Sequence, residues 1–306
     1  MVQKTKKIWL DGKFINWDRA TVHVLSHTLH YGVGAFEGIR CYRTKNGRPA
    51  VFRLKEHVDR LFDSVHILSL KIPYSKKTVT EAIKKTIRVN ELDQGYIRPI
   101  VFIGAGEMGL FAKRNPIHMA IAVWPWGAYL GDDGLKKGIR AKISSYNRHH
   151  VNSSMTKGKI NGYYVNSVLA KWEVVKSGYN EAILLDTEGY VSEASGENIF
   201  TVKNSLIKTT PPTSILPGIT RDSIITIAAD RGLRVLEERF TRDELYTADE
   251  VFFTGTAAEI TPVREVDDRK VGRGRPGRIT KNLQASFFDI VEGRDDRYAH
   301  WLDYVE

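Results

Sequence analysis

The sequence predicts a mixed α/β fold in two domains, and three observations lead there. The chain has 306 residues, more than one ordinary small core organises, which fits two domains or one elaborate domain. Short β-forming runs and runs of helical period are interspersed along both halves. Between the halves lies PWGAYLGDDGLKKG, Pro125 to Gly138, rich in glycine and aspartate and without clear periodicity, where an interdomain connection is expected.

The elements follow in order. Lys7 to Leu10 and Lys13 to Trp17 read as two strands joined at Asp11-Gly12, a pair that tolerates the positive φ of a tight corner. After SHTLHYG, the β-forming FEGIRCY is expected to turn through Asn46-Gly47 into Pro49 to Phe52. From His57 to Leu70, Val58, Leu61, Phe62, Val65 and Leu68 recur at the helical period until Pro73 intervenes. Thr78 to Val89 repeats that pattern through Val79, Ala82, Ile83 and Ile87, and strands are expected at Tyr96 to Ile103 and His118 to Trp124. The second half mixes strands with two helices. One is Val165 to Lys176, with Val168, Leu169, Trp172 and Val175 on one face and Gly178 as its stop; the other is Thr220 to Arg231, ended by Gly232.

Composition excludes several classes. No stretch of eighteen or more apolar residues occurs, and MVQKTKKIWLDGKF lacks the long apolar run of a secretory signal, so a cytoplasmic, soluble protein is expected. Cys41 is the only cysteine, which rules out an intrachain disulfide and a cysteine-rich zinc site; no metal is expected. Net charge is +10, from 46 Lys and Arg against 36 Asp and Glu, densest between Asp267 and Lys281. Charge alone does not choose between an anionic ligand and a solvated surface. Gly104-Ala105-Gly106-Glu107-Met108-Gly109 matches a dinucleotide fingerprint, but that fingerprint opens a helix, and here Pro116 and another strand follow; a loop is the better reading.

Four segments would suit a phosphorylated aldehyde. MTKGKINGYY, Met155 to Tyr164, sets lysines among small residues before a tyrosine pair; a lysine amine condenses with an aldehyde, although two solvated loop lysines would look the same. EGYVSEASGENIF carries Glu193 and Glu197, either of which could hold a pyridine nitrogen protonated or lie in a surface turn. ILPGITRD places Pro217-Gly218 before a helix whose first amides, near Ile219 and Thr220, could take a phosphate or simply be capped. In FFTGTAAEITPV a strand breaks into Thr254-Gly255-Thr256-Ala257-Ala258, small enough for backbone amides to approach an anion, or an ordinary tight turn.

Taken in order, SHTLHYGVGAFEGIR, KEHVDRL, YIRPIVF, WPWGAYLG, the lysine segment, EASGEN, LPGITRD and GTAAEITPVREVD resemble the branched-chain aminotransferases of the fold-type-IV pyridoxal-phosphate group, over nearly the whole chain. The resemblance implies a smaller N-terminal α/β sandwich over residues 1–124, an interdomain loop over 125–138, and a larger, barrel-like α/β domain over 139–306 that binds pyridoxal 5'-phosphate. It also implies a homodimer or a higher assembly of dimers, with the active site completed at a subunit interface.

Carried over residue by residue, Lys159 matches the Schiff-base lysine and general base, with Lys157 as its local competitor. Tyr164 matches the tyrosine on the cofactor's ring oxygen and Glu193 the partner of the pyridine nitrogen, leaving Glu197 a bystander. Arg60 matches the phosphate arginine, joined by Ile219, Thr220 and Thr256. On the substrate side, Tyr96 and the Thr256-Ala257-Ala258 turn match the receivers of the α-carboxylate, and Arg98 suits the distal carboxylate of glutamate. Phe36, Tyr31, Tyr164 and Trp126 would wall the pocket, with Met108, Leu110 and Tyr129 in loops expected to reach across from a partner subunit. Gly38 and Arg40 fall beside the pocket. The reaction implied is ping-pong transamination between Leu, Ile or Val and 2-oxoglutarate.

Within the same fold, a D-amino-acid or (R)-amine transaminase or an aminodeoxychorismate lyase would share the lysine, the glutamate and the phosphate groups. The substrate-side residues around Phe36, Tyr96 and Thr256 favour branched-chain L-amino acids over these. A DNA-binding reading rests on Arg273-Gly274-Arg275-Pro276 and its basic flanks, a segment that a surface loop before the last helix explains as well.

Overall fold

A computed structural model of the chain describes residues 2–127 and 129–305. Met1 and Glu306, at the ends of the expected domains, and Ala128, in the expected linker, lie outside them. The chain divides into two compact units, Met1–Gly127 with Gly158–Tyr163 and Ile290–Glu306, and Ala128–Lys157 with Tyr164–Asp289. The sequence reading places one cut between residues 124 and 139. The chain does pass from one unit to the other within that stretch, but the segment carrying Lys159 and the C-terminal tail both return to the first unit.

The first unit opens with β1 (Lys7–Leu10) and β2 (Lys13–Asn16), then α1 (His27–Tyr31), β3 (Gly34–Phe36), β4 (Ile39–Arg43) and β5 (Pro49–Phe52). Helices α2 (Leu54–Ile67) and α3 (Lys76–Val89) precede the long strands β6 (Gly95–Ile103) and β7 (Ile117–Trp124). Trp17, expected in the second strand, instead begins a 3-10 turn. The first long helix starts three residues earlier than its apolar period and ends at Ile67, because Ser69 turns to φ +58 before Pro73 is reached.

Alternation along the paired strands decides which side of this sheet is packed. Ile97 and Val101 of β6, with Met119, Ile121 and Val123 of β7, share one core with Val58, Leu61 and Val65 of α2 and Val79, Ile83 and Ile87 of α3. The intervening residues Tyr96, Arg98, Ile100 and Phe102 face the other way, opposite Trp124, Ala122, Ala120 and His118. Phe36 pairs with Ile100 and Arg40 with Tyr96, so they join that second face.

The second unit begins with α4 (Asp132–Lys137), β8 (Ile139–Ile143), α5 (Tyr164–Lys176), β9 (Glu181–Leu185), β10 (Val191–Ala194), β11 (Asn198–Lys203) and β12 (Leu206–Thr209). It continues through α6 (Ile219–Asp230), β13 (Val235–Glu237), α7 (Arg242–Thr247), β14 (Glu250–Gly255), β15 (Glu259–Val266), β16 (Arg269–Lys270) and α8 (Arg278–Val291). Its nine strands form one curled sheet, ordered β10-β9-β8-β15-β14-β11-β12-β13, with β16 on β15. Finally β17 (Leu302–Tyr304) returns to pair with β5 of the first sheet, an antiparallel array ordered β17-β5-β4-β6-β7-β1-β2 with β3 on β6.

Two expectations for this half need correcting. The aperiodic stretch after Trp124 contains the short helix α4, whose aspartates sit in its first turn and lysines in its last, as the helix dipole favours. The apolar stripe of α5 is not its buried face: Val168, Leu169, Trp172 and Val175 are exposed, Trp172 by 60%. Small Ser167 and Ala170, with Val174, are what pack inward, because α5 lies close on the sheet through Ala182 and Leu184. Among the described residues no helix is long and apolar enough to cross a membrane.

Candidate active site

In the first unit the site is organised by a buried carboxylate. Glu37 follows β3, is fully buried, and accepts from Arg60 Nε at 2.7 Å and Arg60 Nη2 at 2.9 Å, a bidentate ion pair. His57 Nδ1 lies 2.7 Å from the same carboxylate. Burial alone would raise the Glu37 pKa, but the Arg60 charge and then the His57 hydrogen bond override it and hold the carboxyl far below the usual range. Burial pushes His57 below its ordinary value, Glu37 notwithstanding, so its ring is neutral near pH 7 and donates through Nδ1–H.

Lys159 lies beside this cluster. Its carbonyl accepts from the Phe36 amide at 3.1 Å, Ala35 bridges to Ile160, and its Nζ stands 5.1 Å from the centroid of the Phe36 ring. The Arg98 guanidinium covers the same ring at 4.6 Å and the Tyr96 ring at 5.4 Å, and among the described residues Arg98 Nε, though buried, has no hydrogen-bond partner. Arg98 also borders a hollow of about 270 Å³ whose walls include Leu10, Leu29, Ile100 and Phe102. Trp126 packs edge-on to Tyr96 at 4.4 Å, and Arg40 Nη2 donates to the Gly127 carbonyl at 2.6 Å. A Cβ added at Gly38 would stand 1.9 Å from the Tyr96 hydroxyl, so only glycine leaves that hydroxyl its place.

Tyr31 ends α1, its ring 4.5 Å from that of His27 and 40% exposed. Met108 and Leu110 are exposed on the loop after β6, which His27 Nε2 tethers by a 2.9 Å contact with the Gly109 carbonyl. No helix follows Gly104 and Gly106; they are glycines because a Cβ at either would meet His118 or Asn115 at 2.5 Å.

In the second unit Glu193 is the organising group. It is 4% exposed on β10 and accepts from Arg148 Nε at 2.7 Å, Asn198 Nδ2 at 3.2 Å and the Leu216 amide at 3.2 Å. Arg148 Nη1 also reaches Asn166 and Ser167, in the first turn of the helix that Tyr164 opens. Asn198 is shared with the approach to α6: it donates to the Leu216 carbonyl at 3.0 Å, and a Cβ at Gly218 would lie 2.0 Å from its Oδ1. Helix α6 then starts at Ile219 with no side-chain cap, Ile219 and Thr220 both buried in its first turn. The Thr256-Ala257-Ala258 turn joins β14 to β15 beside the Glu197 turn, where a Cβ added at Gly255 would meet Glu197 Cγ at 3.3 Å, and Glu197 itself is buried. Tyr129 lies under the Lys171 ammonium at 5.5 Å, and Lys157, the competitor of Lys159, is exposed in this unit.

The sequence reading therefore finds Arg60, Lys159 and Arg98 in one neighbourhood, and Glu193 and the start of α6 in another. It misses Glu37, His57 and Arg148. Glu37 hides in FEGIR, which reads as plain strand, and Arg148 in the aperiodic NRHH. The only signal for Glu37 is an ionisable residue in a segment otherwise bound for the interior, and nothing local marks Arg148.

The Amino-transferase class IV family profile matches residues 34–266. The branched-chain-amino-acid aminotransferase of Pseudomonas aeruginosa is 52% identical over 306 residues, 100% of this chain and 99% of that one. The crystal structure of the Escherichia coli branched-chain amino acid aminotransferase superposes with a TM-score of 0.96 at 46% identity, over 99% of this chain and 100% of that one. That of the branched-chain amino acid aminotransferase from Thermobaculum terrenum, in its PLP-form, gives 0.92 at 32% identity, over 99% of each.

Proposed function

The chain belongs to the amino-transferase class IV family, and from that premise we propose that it exchanges the amino group between branched-chain L-amino acids and 2-oxoglutarate, with pyridoxal 5'-phosphate as cofactor. The observation that carries the reading is the Phe36 ring, approached by the Lys159 amine at 5.1 Å and the Arg98 guanidinium at 4.6 Å. An amine for the cofactor, a cation for the second carboxylate of glutamate and an apolar wall for a branched side chain then share one neighbourhood. One pocket would serve both amino donors that way.

The residues present fit the cofactor. Arg60 and the uncapped first turn of α6 would hold its phosphate, with Thr256 contributing, because a helix dipole worth about 0.3–1 kcal/mol needs a charged partner. Glu193, a buried carboxylate paired with Arg148, would hold the pyridine nitrogen protonated. Tyr164 would donate to the ring oxygen. When bound, the cofactor supplies an aldehyde to carry the amino group and a ring that withdraws electrons from the reacting carbon.

Lys159 Nζ would hold the cofactor covalently between turnovers and, once displaced by substrate, take the α-proton from it and return it one position along. Tyr96 and the Ala257-Ala258 turn would orient the α-carboxylate. Phe36, Tyr31, Trp126, Tyr129, Met108 and Leu110 would exclude water around the side chain, with Gly38 and Arg40 setting the positions of Tyr96 and the Trp126-Gly127 segment. Exposed Leu110, Phe111 and Leu29, and the α5 stripe, support a homodimer or larger assembly. We place the protein in the cytoplasm, where its single thiol suits a reducing medium: Cys41 is buried, and burial, with Asp93 adding to it, pushes it up to about 12.

The test is a half-reaction. The purified protein is expected to be yellow, L-leucine to bleach its long-wavelength absorbance, and 2-oxoglutarate to restore it. A colourless protein that L-leucine leaves unchanged after incubation with the cofactor would overturn the reading.

A further inference from the structure

Ser64 lies on α2 one helical turn beyond Arg60 and is fully buried. Its hydroxyl donates to the Arg60 carbonyl at 2.7 Å, which commits its only hydrogen. The same oxygen accepts the backbone N–H of Lys159 at 2.9 Å, from a residue 95 positions along the chain. A serine that merely bonded back into its own helix would leave that lone pair to local groups; this one takes a distant amide.

The contact closes a circuit. From the Lys159 amide it runs through Ser64 to the turn of α2 that bears Arg60, and across the bidentate pair from Arg60 to Glu37. The amide of Phe36, the residue before Glu37, then donates to the Lys159 carbonyl. Both peptide groups flanking the Lys159 side chain are thus fixed, one by a helix and one by a strand. The Glu37 salt bridge joins the two supports.

We propose that Ser64 is a positioning residue: its hydroxyl locks the Lys159 amide to the α2 turn that carries Arg60, and so fixes the reach of the lysine amine relative to the guanidinium. This rests on the roles just proposed for Lys159 and Arg60. A covalent anchor and a phosphate clamp must keep a set spacing if one rigid ligand is to satisfy both, and small misplacements there cost rate steeply. Without Ser64, Lys159 keeps its chemistry but loses the tether on its amide.

The experiment uses the purified full-length protein with its cofactor, as wild type, Ser64→Ala and Ser64→Cys; the thiol keeps the shape of the side chain with a somewhat larger atom and is a weaker acceptor. Three quantities are read: hydrogen exchange at the Lys159 amide, the pH midpoint of the lysine-bound absorbance, and kcat apart from KM for L-leucine. In Ser64→Ala, exchange at Lys159 is expected to rise about tenfold or more with protection in α3 unchanged, the pH midpoint to move, and kcat to fall with little change in KM. Ser64→Cys is expected to lie between, and it carries the test alone if the alanine variant does not fold.

Wild-type exchange at Lys159 in both variants would show that the tether does not exist. Faster exchange with an unmoved pH midpoint and unchanged kcat would make Ser64 an ordinary packing residue and overturn the proposal. A wild-type protein with no cofactor on Lys159 would overturn the positioning role together with the reading of Lys159, while the exchange result alone would still report the tether.

Discussion

Arg148 Nε and the Glu193 carboxylate meet at 2.7 Å, with side chains 12% and 5% exposed, so each charge is matched where water cannot do it. Removing one member strands the other. Arg148→Ala is expected to destabilise the second unit by about 3–5 kcal/mol, the usual cost of breaking a buried pair from one side. Urea unfolding with an unaltered m value would measure it. Arg148→Met with Glu193→Gln should recover much of the loss in stability while cofactor binding stays impaired, a separation that would be absent if Glu193 had only a packing role.

Glu37 and His57 make a prediction about acid. The folded pKa of each lies below its ordinary value, 4.5 for the carboxyl and 6.5 for the imidazole. In both cases the unfolded chain binds the proton more readily, so the stability they contribute is present above those ordinary values and is lost as pH falls below them. His57 therefore sets the upper edge of the decline and Glu37 continues it. The urea midpoint is expected to drop from about pH 7 to pH 5, and less steeply in His57→Asn; an identical slope in the variant would remove His57 from the account.

How much of this is legible in the sequence depends on whether a residue's partners are local. Helices α2 and α3 can be read because Val58, Leu61 and Val65, or Val79, Ile83 and Ile87, declare their buried face by spacing alone. The roles proposed for Lys159, Glu193 and the α6 start can be read from the sequence because the residue types that suggest them lie within short motifs. Glu37 is not marked in this way, since what singles it out is its ion pair with Arg60, 23 residues away on another element. The α5 stripe misleads for the opposite reason: its period is helical, but spacing cannot say whether an apolar face meets the chain's own core or another surface.

Gly38 offers a test of the Tyr96 hydroxyl. A Cβ there would stand 1.9 Å from Tyr96 Oη and 2.8 Å from Cζ, so Gly38→Ala must displace the ring. The cost should be about 1–3 kcal/mol in stability, typical of overpacking, with KM for L-leucine raised more than kcat is lowered. Adding Tyr96→Phe removes the nearer clash. If the hydroxyl orients the carboxylate, the double variant regains stability without regaining affinity; a full recovery of KM would show that Tyr96 acts only as a wall.

The exposed side of α5 carries the last prediction. Val165, Val168, Leu169, Trp172 and Val175 recur at helical spacing, with Val165 63% and Trp172 60% exposed, while the opposite side of the helix already has its core. A monomer seldom leaves so contiguous an apolar face in water, because each large side chain left partly exposed forgoes a share of the roughly 1.5–3 kcal/mol that full burial gives. A second copy is the simplest cover for it. Trp172→Glu places a charge at the centre of the stripe, where desolvating it in an interface would be expensive but leaving it in water costs nothing. The variant is expected to fold with wild-type thermal stability per chain at low concentration and to show a smaller mass by light scattering. An unchanged mass would show that the α5 face is not the interface.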